Sequence, residues 1–348
     1  METAHDVLIA LTRRYAFAEV AALVAPDSGV LPRAGGGALS TESVAHVQQL
    51  CAFGQRLLDL DAEDFGELNA AAEANTEHAV ADQVHGDHVP EHLRERALAC
   101  RMPQAPREVH RGALGSMRPA FRLLLEVIDA RFRRGETTAV VAAVHIASEY
   151  GPLLVWERVL GHAADPLRLP KAVGGDGSAW GDFDDRDCPH TKPEKSAARR
   201  SLTVAHENNA GWRTYLDRQH SNTSHALCVC ATTCHRRCTV YRRLDARQAE
   251  VVTHGCRLAA ALNESAVVKL RHSAPVGHGF GVPSQRELLD AWARTRASLA
   301  KHDPAIAEED GYPLPGFAAY VAVLAGAPMP SDTLLADTAI ELAKALTP

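Results

Sequence analysis

"AFRLLLEVIDARF", residues 120–132, decides the fold class. Phe121, Leu124, Leu125, Ile128 and Phe132 stand at i, i+3, i+4, i+7 and i+11. At about 3.6 residues per turn those positions draw one apolar stripe along a helix. The next stretch, "TTAVVAAVHIASEY" (137–150), continues as a mostly apolar helix up to Gly151-Pro152, where a kink or a stop is expected because proline lacks an N–H. Ser284 and Glu287, after "GVP", form a capping box for a helix running to Lys301, and Ser331-Asp332 open a last helix carrying Leu334, Leu335, Ile340 and Leu342. Helical patterning recurs at 42–60, 66–85, 91–101, 195–217 and 245–262, and the N-terminal "METAHDVLIALTRRYAFAEVAALVAP" reads as one amphipathic helix.

Strand-like runs such as "AVVKLRH" (266–272) are too few to build a sheet. Aromatic residues make up only 5% of the chain and Leu and Ala dominate its apolar set, whereas strands favour aromatic and β-branched residues. The expected fold is all-α, a multi-helix bundle. Its 348 residues suit one large helical domain or two ordinary ones. Residues 165–193, "DPLRLPKAVGGDGSAWGDFDDRDCPHTKP", form a long Gly/Pro/Asp-rich connection. It divides the sequence into an N-terminal helical region, 1–164, with most of the His/carboxylate clusters, and a C-terminal helical region, 194–348, with most of the cysteines.

The net charge of -6 gives no global pull toward nucleic acid or anionic lipid. The N-terminus has no basic stretch ahead of its apolar residues, and no uninterrupted apolar run approaches the roughly 18 residues of a membrane span. A cytoplasmic protein acting on a small molecule, with neither nucleic-acid nor membrane partners, is expected. In that compartment thiols stay reduced, so a dense cysteine cluster favours metal or redox chemistry over structural disulfides.

The first chemical constellation is "EHAVADQVHGDHVPEH" (77–92). His78, Asp82 and His85 stand at i, i+4 and i+7, on one helix face. Two imidazoles and a carboxylate are the ligand set of non-haem iron sites, and also suit zinc or manganese, with an exposed polar helix face and an acid-base role without metal as the alternatives. Three protein ligands leave open positions for water, oxygen or substrate. Over these eight residues, His-x3-Asp-x2-His resembles the last metal-binding helix of the haem-oxygenase-like di-metal oxidases. That resemblance implies iron ligands within a helical bundle and oxygen activation. In the family two ligand-bearing helices precede this one, whereas here only 77 residues do. A second pair, His145 and Glu149 in "HIASE", sits in a strongly apolar helix, where both groups are costly to bury unless paired or metal-bound. They are candidate catalytic residues or members of a di-metal site, and equally a simple hydrogen-bonded pair near the surface.

"HALCVCATTCHRRC" (225–238) holds Cys228, Cys230, Cys234 and Cys238 in a C-x-C-x3-C-x3-C pattern that matches neither zinc ribbons nor ferredoxins. On a continuous helix Cys230, Cys234 and Cys238 would line one face. Thiolates with imidazole suit zinc, crowded thiolates suit Cu(I), and the adjacent His235, Arg236 and Arg237 would favour a reactive thiolate. Packing without chemistry is the remaining alternative. Asp184, Asp185 and Asp187 could hold Mg2+ or a diphosphate, although their Gly/Pro setting reads as a loop rather than an aspartate-rich helix. There is no phosphate-binding loop, no G-x-S-x-G and no HExxH.

Two functional expectations follow from these residues. The first is a non-haem iron oxidase or oxygenase centred on His78, Asp82 and His85, with zinc or copper at the cysteines. The second is a metal-handling or thiol redox-sensing helical protein centred on Cys228 to Cys238, beside which a helical interaction protein without metal remains open.

Overall fold

The computed structural model describes residues 4–28, 40–61, 89–169, 189–235, 237–273, 279 and 281–347. Among them every regular element is helical and no strand occurs, so the fold is all-α. The helices are α1 (Ala4–Arg13), α2 (Phe17–Val24), α3 (Thr41–Leu58), α4 (Glu91–Cys100), α5 (Gly112–Gly115), α6 (Arg118–Arg133), α7 (Thr137–Leu160) and α8 (Lys192–Thr203). They continue as α9 (Asn209–Arg218), α10 (His220–Thr232), α11 (Thr239–Arg242), α12 (Ala246–Asn263), α13 (Ala266–Ser273), α14 (Gln285–Leu299), α15 (Phe317–Ala325) and α16 (Leu334–Leu346).

The chain groups into two compact units, Met1–Arg101 together with Asp332–Pro348, and Met102–Ser331. The 165–193 connection falls within the second unit, and its residues 170–188 lie outside the described set. In the first unit α3 packs on α2 and α16, and α16 also contacts α1 and α4. Gly54 provides the notch for Phe17: a Cβ there would sit 2.6 Å from the ring. Arg96 on α4 donates to Asp332 at 2.5 Å and to Asp337 at 2.6 Å, which pins the last helix to this unit. The N-terminal stretch is two helices rather than one. Tyr15 adopts φ 56, and Ala16 N–H returns to the Leu11 carbonyl at 3.0 Å, a left-handed stop that the apolar pattern alone does not reveal.

In the second unit α7 is the central helix, packed by α6, α10, α12, α13 and α15. It does not stop at Gly151-Pro152 but runs through to Leu160. An internal proline costs about 3 kcal/mol, while each buried large apolar side chain gains about 1.5–3 kcal/mol. Leu153, Leu154, Val155 and Trp156, all at most 1% exposed, follow the proline, so burial outweighs the lost hydrogen bond. Gly151 lets Leu324 and the Tyr320 hydroxyl approach, and Gly255 lets α12 close onto Val155. By length and composition α7 could cross a membrane, but 61% of its most apolar window is buried by its neighbours, the setting of a core helix.

The strand-like run 266–272 is helical, as part of α13. Val267 and Val268 are buried, and the Val267 N–H donates to Thr295 Oγ1 at 3.2 Å, so tertiary packing overrides β-propensity. The expected helix 195–217 is broken into α8 and α9, because Asn208 turns to accept from Gly211 N–H and caps α9. The Ser284/Glu287 capping box forms as expected, and α3, α4 and α12 match their expected spans within two residues.

Candidate functional site

His78, Asp82 and His85 lie outside the described residues, as do Asp184, Asp185 and Asp187. The His145–Glu149 pair is joined. Nε2 of His145 lies 3.1 Å from Oε1 of Glu149, one turn on in α7. Arg271 on α13 reaches the same ring nitrogen at 2.6 Å. Burial opposes ionisation of Glu149, but the bond from His145 and the charges of His145, His225 and Arg271 outweigh it and hold the carboxyl below its ordinary range. The pair shares one ring nitrogen with Arg271, and that nitrogen donates to the carboxylate or accepts from the guanidinium according to its tautomer. The pair fits an ion-paired polar strip between α7, α10 and α13.

The cysteine stretch does not form the continuous helical row. α10 ends at Thr232, where Thr232 Oγ1 returns to the Cys228 carbonyl at 2.9 Å and Thr233 Oγ1 to that of Val229 at 3.4 Å. Such back-bonding by threonine favours a helix end. Cys234 and Cys238 therefore leave the helix, and Cys238 becomes the residue preceding α11. The chain folds back so that Cys230 and Cys238 form a disulfide, their Cα atoms 6.1 Å apart. The Cys238 N–H points at Cys230 Sγ at 3.0 Å, Arg237 donates to the Cys230 carbonyl at 2.6 Å, and its guanidinium sits 4.7 Å from the centre of the Tyr241 ring.

Cys228 faces another way, its thiol donating to the Cys256 carbonyl on α12 at 3.3 Å. Burial, and then Cys228, push the Cys256 thiol well above its ordinary pKa, so it stays protonated. Cys228 and Cys230 thus engage separate partners. Among the described residues no three His, Cys, Asp or Glu side chains converge as a metal-binding group.

One polar centre is absent from the motif reading. α7 ends at the left-handed Gly161, and Ala164 follows at φ 55, which turns His162 and Asp165 inward. Asp165 is fully buried and takes a two-pronged bond from Arg111, Nε to Oδ2 at 2.9 Å and Nη2 to Oδ1 at 2.7 Å. Arg111 also lies over Trp212, 5.4 Å from its ring centre. His162 Nδ1 accepts the Asp165 N–H at 2.9 Å. Nearby, His220 is fully buried between Tyr150 and Tyr215, each ring centre 5.6 Å away.

No hydrogen bond of good geometry reaches either nitrogen of His220 or the hydroxyls of Tyr215 and Ser224 among the described residues, although the Ala163 backbone stands near the ring and Thr223 near the Tyr215 hydroxyl. Burial lowers the His220 pKa to about 4 against a weaker opposing pull from Ala163 and Asp165, and burial with Arg168 lowers that of His162 to about 4. Both rings are neutral at pH 7. No sequence spacing announces this centre, because Arg111 and Asp165 are 54 residues apart.

Compared with protein-family models, curated proteins and solved structures, the chain matches none.

Proposed function

We propose that this protein is a thiol–disulfide redox responder in which Cys230 and Cys238 cycle between disulfide and dithiol. One observation carries the reading: the two cysteines meet across the end of α10, with the Cys238 amide hydrogen directed at the Cys230 sulfur at 3.0 Å. In the reduced state that amide would favour the Cys230 thiolate, and the neighbouring Arg237 adds positive charge. These are the surroundings that activate a thiol for exchange.

Reduction by a small dithiol proceeds by attack of its thiolate on one sulfur, giving a mixed disulfide and releasing the other protein thiolate. The donor's second thiol then displaces the remaining cysteine. Two electrons and two protons enter the protein pair, and the donor leaves as its cyclic disulfide. Cys230 and Cys238 are both fully buried, so exchange requires residues 233–238 to swing out. The consequence reaches α12 through α11, because the Tyr241 hydroxyl meets Thr253 Oγ1 at 2.8 Å.

The test is equilibration of native protein in dithiol/disulfide buffers of graded potential, followed by acid quench and mass-tagging of free thiols. A two-thiol step with its midpoint above about -300 mV, absent from Cys238→Ser, is expected. A pair that stays oxidised in the native protein under strong reductant would make it a structural brace and end the proposal. The iron oxidase reading would be built on His78, Asp82 and His85, which lie outside the described residues.

A further inference from the structure

The second unit also carries a surface cavity of about 560 Å³, lined from α7, α12, α15 and the turn Pro304–Ala307. Its apolar lining includes Ala305, Ala319, Ala322 and Val323, and Arg158, at the end of α7, borders it. The Arg158 guanidinium rests on Gly326, where a Cβ would come within 2.4 Å of Cζ and where φ is +66. Among the described residues no carboxylate pairs with Arg158, whose hydrogen bond is a long one to the Val323 carbonyl at 3.4 Å. The charge that acts on it is a second cation, Arg118, itself engaged by Glu157 at 3.5 Å and by the Ala325 carbonyl at 2.8 Å. Partial burial and that neighbour both disfavour the charged form of Arg158. Arg158 is nonetheless exposed, and its planar fork is open to an anion at the mouth of the cavity.

The remaining polar groups limit which anion enters. His254 Nε2 lies 3.4 Å from Asp303 Oδ2, and Glu250 stands one turn earlier on α12, so two carboxylates share the lining with Arg158. A phosphate dianion would meet both, whereas a carboxylate brings a single charge and a planar pair of oxygens that matches the guanidinium. The cavity size suits a small molecule, and the alanine-rich lining suits an apolar body. We propose that this cavity binds a small monocarboxylate, its carboxylate on Arg158 and its apolar portion over Ala305, Ala319, Ala322 and Val323.

The test titrates the full chain with straight-chain acids from butanoate to octanoate, the matching primary amides and inorganic phosphate, using ligand-observed NMR. At least one acid saturates, its amide binds about tenfold more weakly or worse, and phosphate does not displace it. Arg158→Gln abolishes the preference for acid over amide, while Glu250→Gln retains acid binding. The proposal is overturned if no acid saturates, if acid and amide bind equally, if phosphate displaces the acid, or if folded Arg158→Gln binds like the parent. Should Arg158→Gln not fold, the acid-to-amide ratio on the parent protein still decides.

Discussion

Lowering the pH tests the buried centre directly. His162 and His220 have folded pKa values of about 4 against an ordinary 6.5. The unfolded chain therefore takes up these two protons first. The stability they contribute is complete above pH 6.5 and is lost as the pH falls from there toward about 4. Each pH unit in that window removes about 1.4 kcal/mol per ring, so acidification costs about 3 kcal/mol per ring in all, roughly 1 kcal/mol of it by pH 5.5. The groups facing the rings are Asp165, which favours the imidazolium, Arg168, which opposes it at His162, and the rings of Tyr150 and Tyr215 at His220. The carboxyls held low in this unit, Glu136, Glu149 and Glu287, lose their share only below an ordinary 4.5 and leave the upper part of the window to the histidines.

Tryptophan fluorescence is the appropriate probe, because all four tryptophans lie in the Met102–Ser331 unit. Urea denaturation at pH 7 and pH 5.5 should show a loss of about 2 kcal/mol from the two rings together. His220→Phe should remove about half of that difference. It should also leave stability at pH 7 unchanged or improved, since each unsatisfied buried polar atom costs about 1–3 kcal/mol. An identical midpoint at both pH values, or a His220→Phe variant as pH-sensitive as the parent, would refute the assignment of two neutral, proton-excluding imidazoles.

Three further outcomes are expected. Gly255→Ala forces a Cβ within 2.7 Å of Val155 and should cost about 1–3 kcal/mol, read by the same urea titration. Asp165→Asn leaves the half-buried Arg111 cation without its counter-charge and should cost about 3–5 kcal/mol, whereas Asp290→Asn, in an exposed pair with Arg286, should change stability by less than about 1 kcal/mol. Elemental analysis of protein purified without chelators tests the iron reading separately: stoichiometric iron lost in His78→Ala would support the oxidase, and iron at background in both proteins would end that reading.

The fold class was legible because helical periodicity is a local property. The stripe through Phe121 and Phe132, the Ser284/Glu287 capping box and the spans of α3, α4 and α12 all follow from neighbours within two turns. The interruptions follow from other forces. Whether Pro152 breaks α7 depends on what buries Trp156, and whether Val267 and Val268 extend or coil depends on Thr295, 28 residues away. The left-handed Tyr15 that divides α1 from α2 is not a glycine, so no residue type flags it. Candidate chemistry was legible to the same depth. His145 and Glu149 meet because they are one turn apart, but Arg271, which reaches the same ring nitrogen, arrives from 126 residues away.

The cysteines show why proximity along a chain overstates shared purpose. On a helix Cys228 and Cys230 point nearly opposite ways, so one meets Cys256 on α12 while the other meets Cys238 across the turn. A metal needs the donors on one side; a disulfide needs only one partner each, and a helix that ends early supplies it. What ends α10 is Thr232 and Thr233, whose hydroxyls take up the Cys228 and Val229 carbonyls. The four-thiol motif thus becomes one bonded pair and two separate thiols through two threonines standing between Cys230 and Cys234, and the redox reading rests on that division rather than on the number of sulfurs.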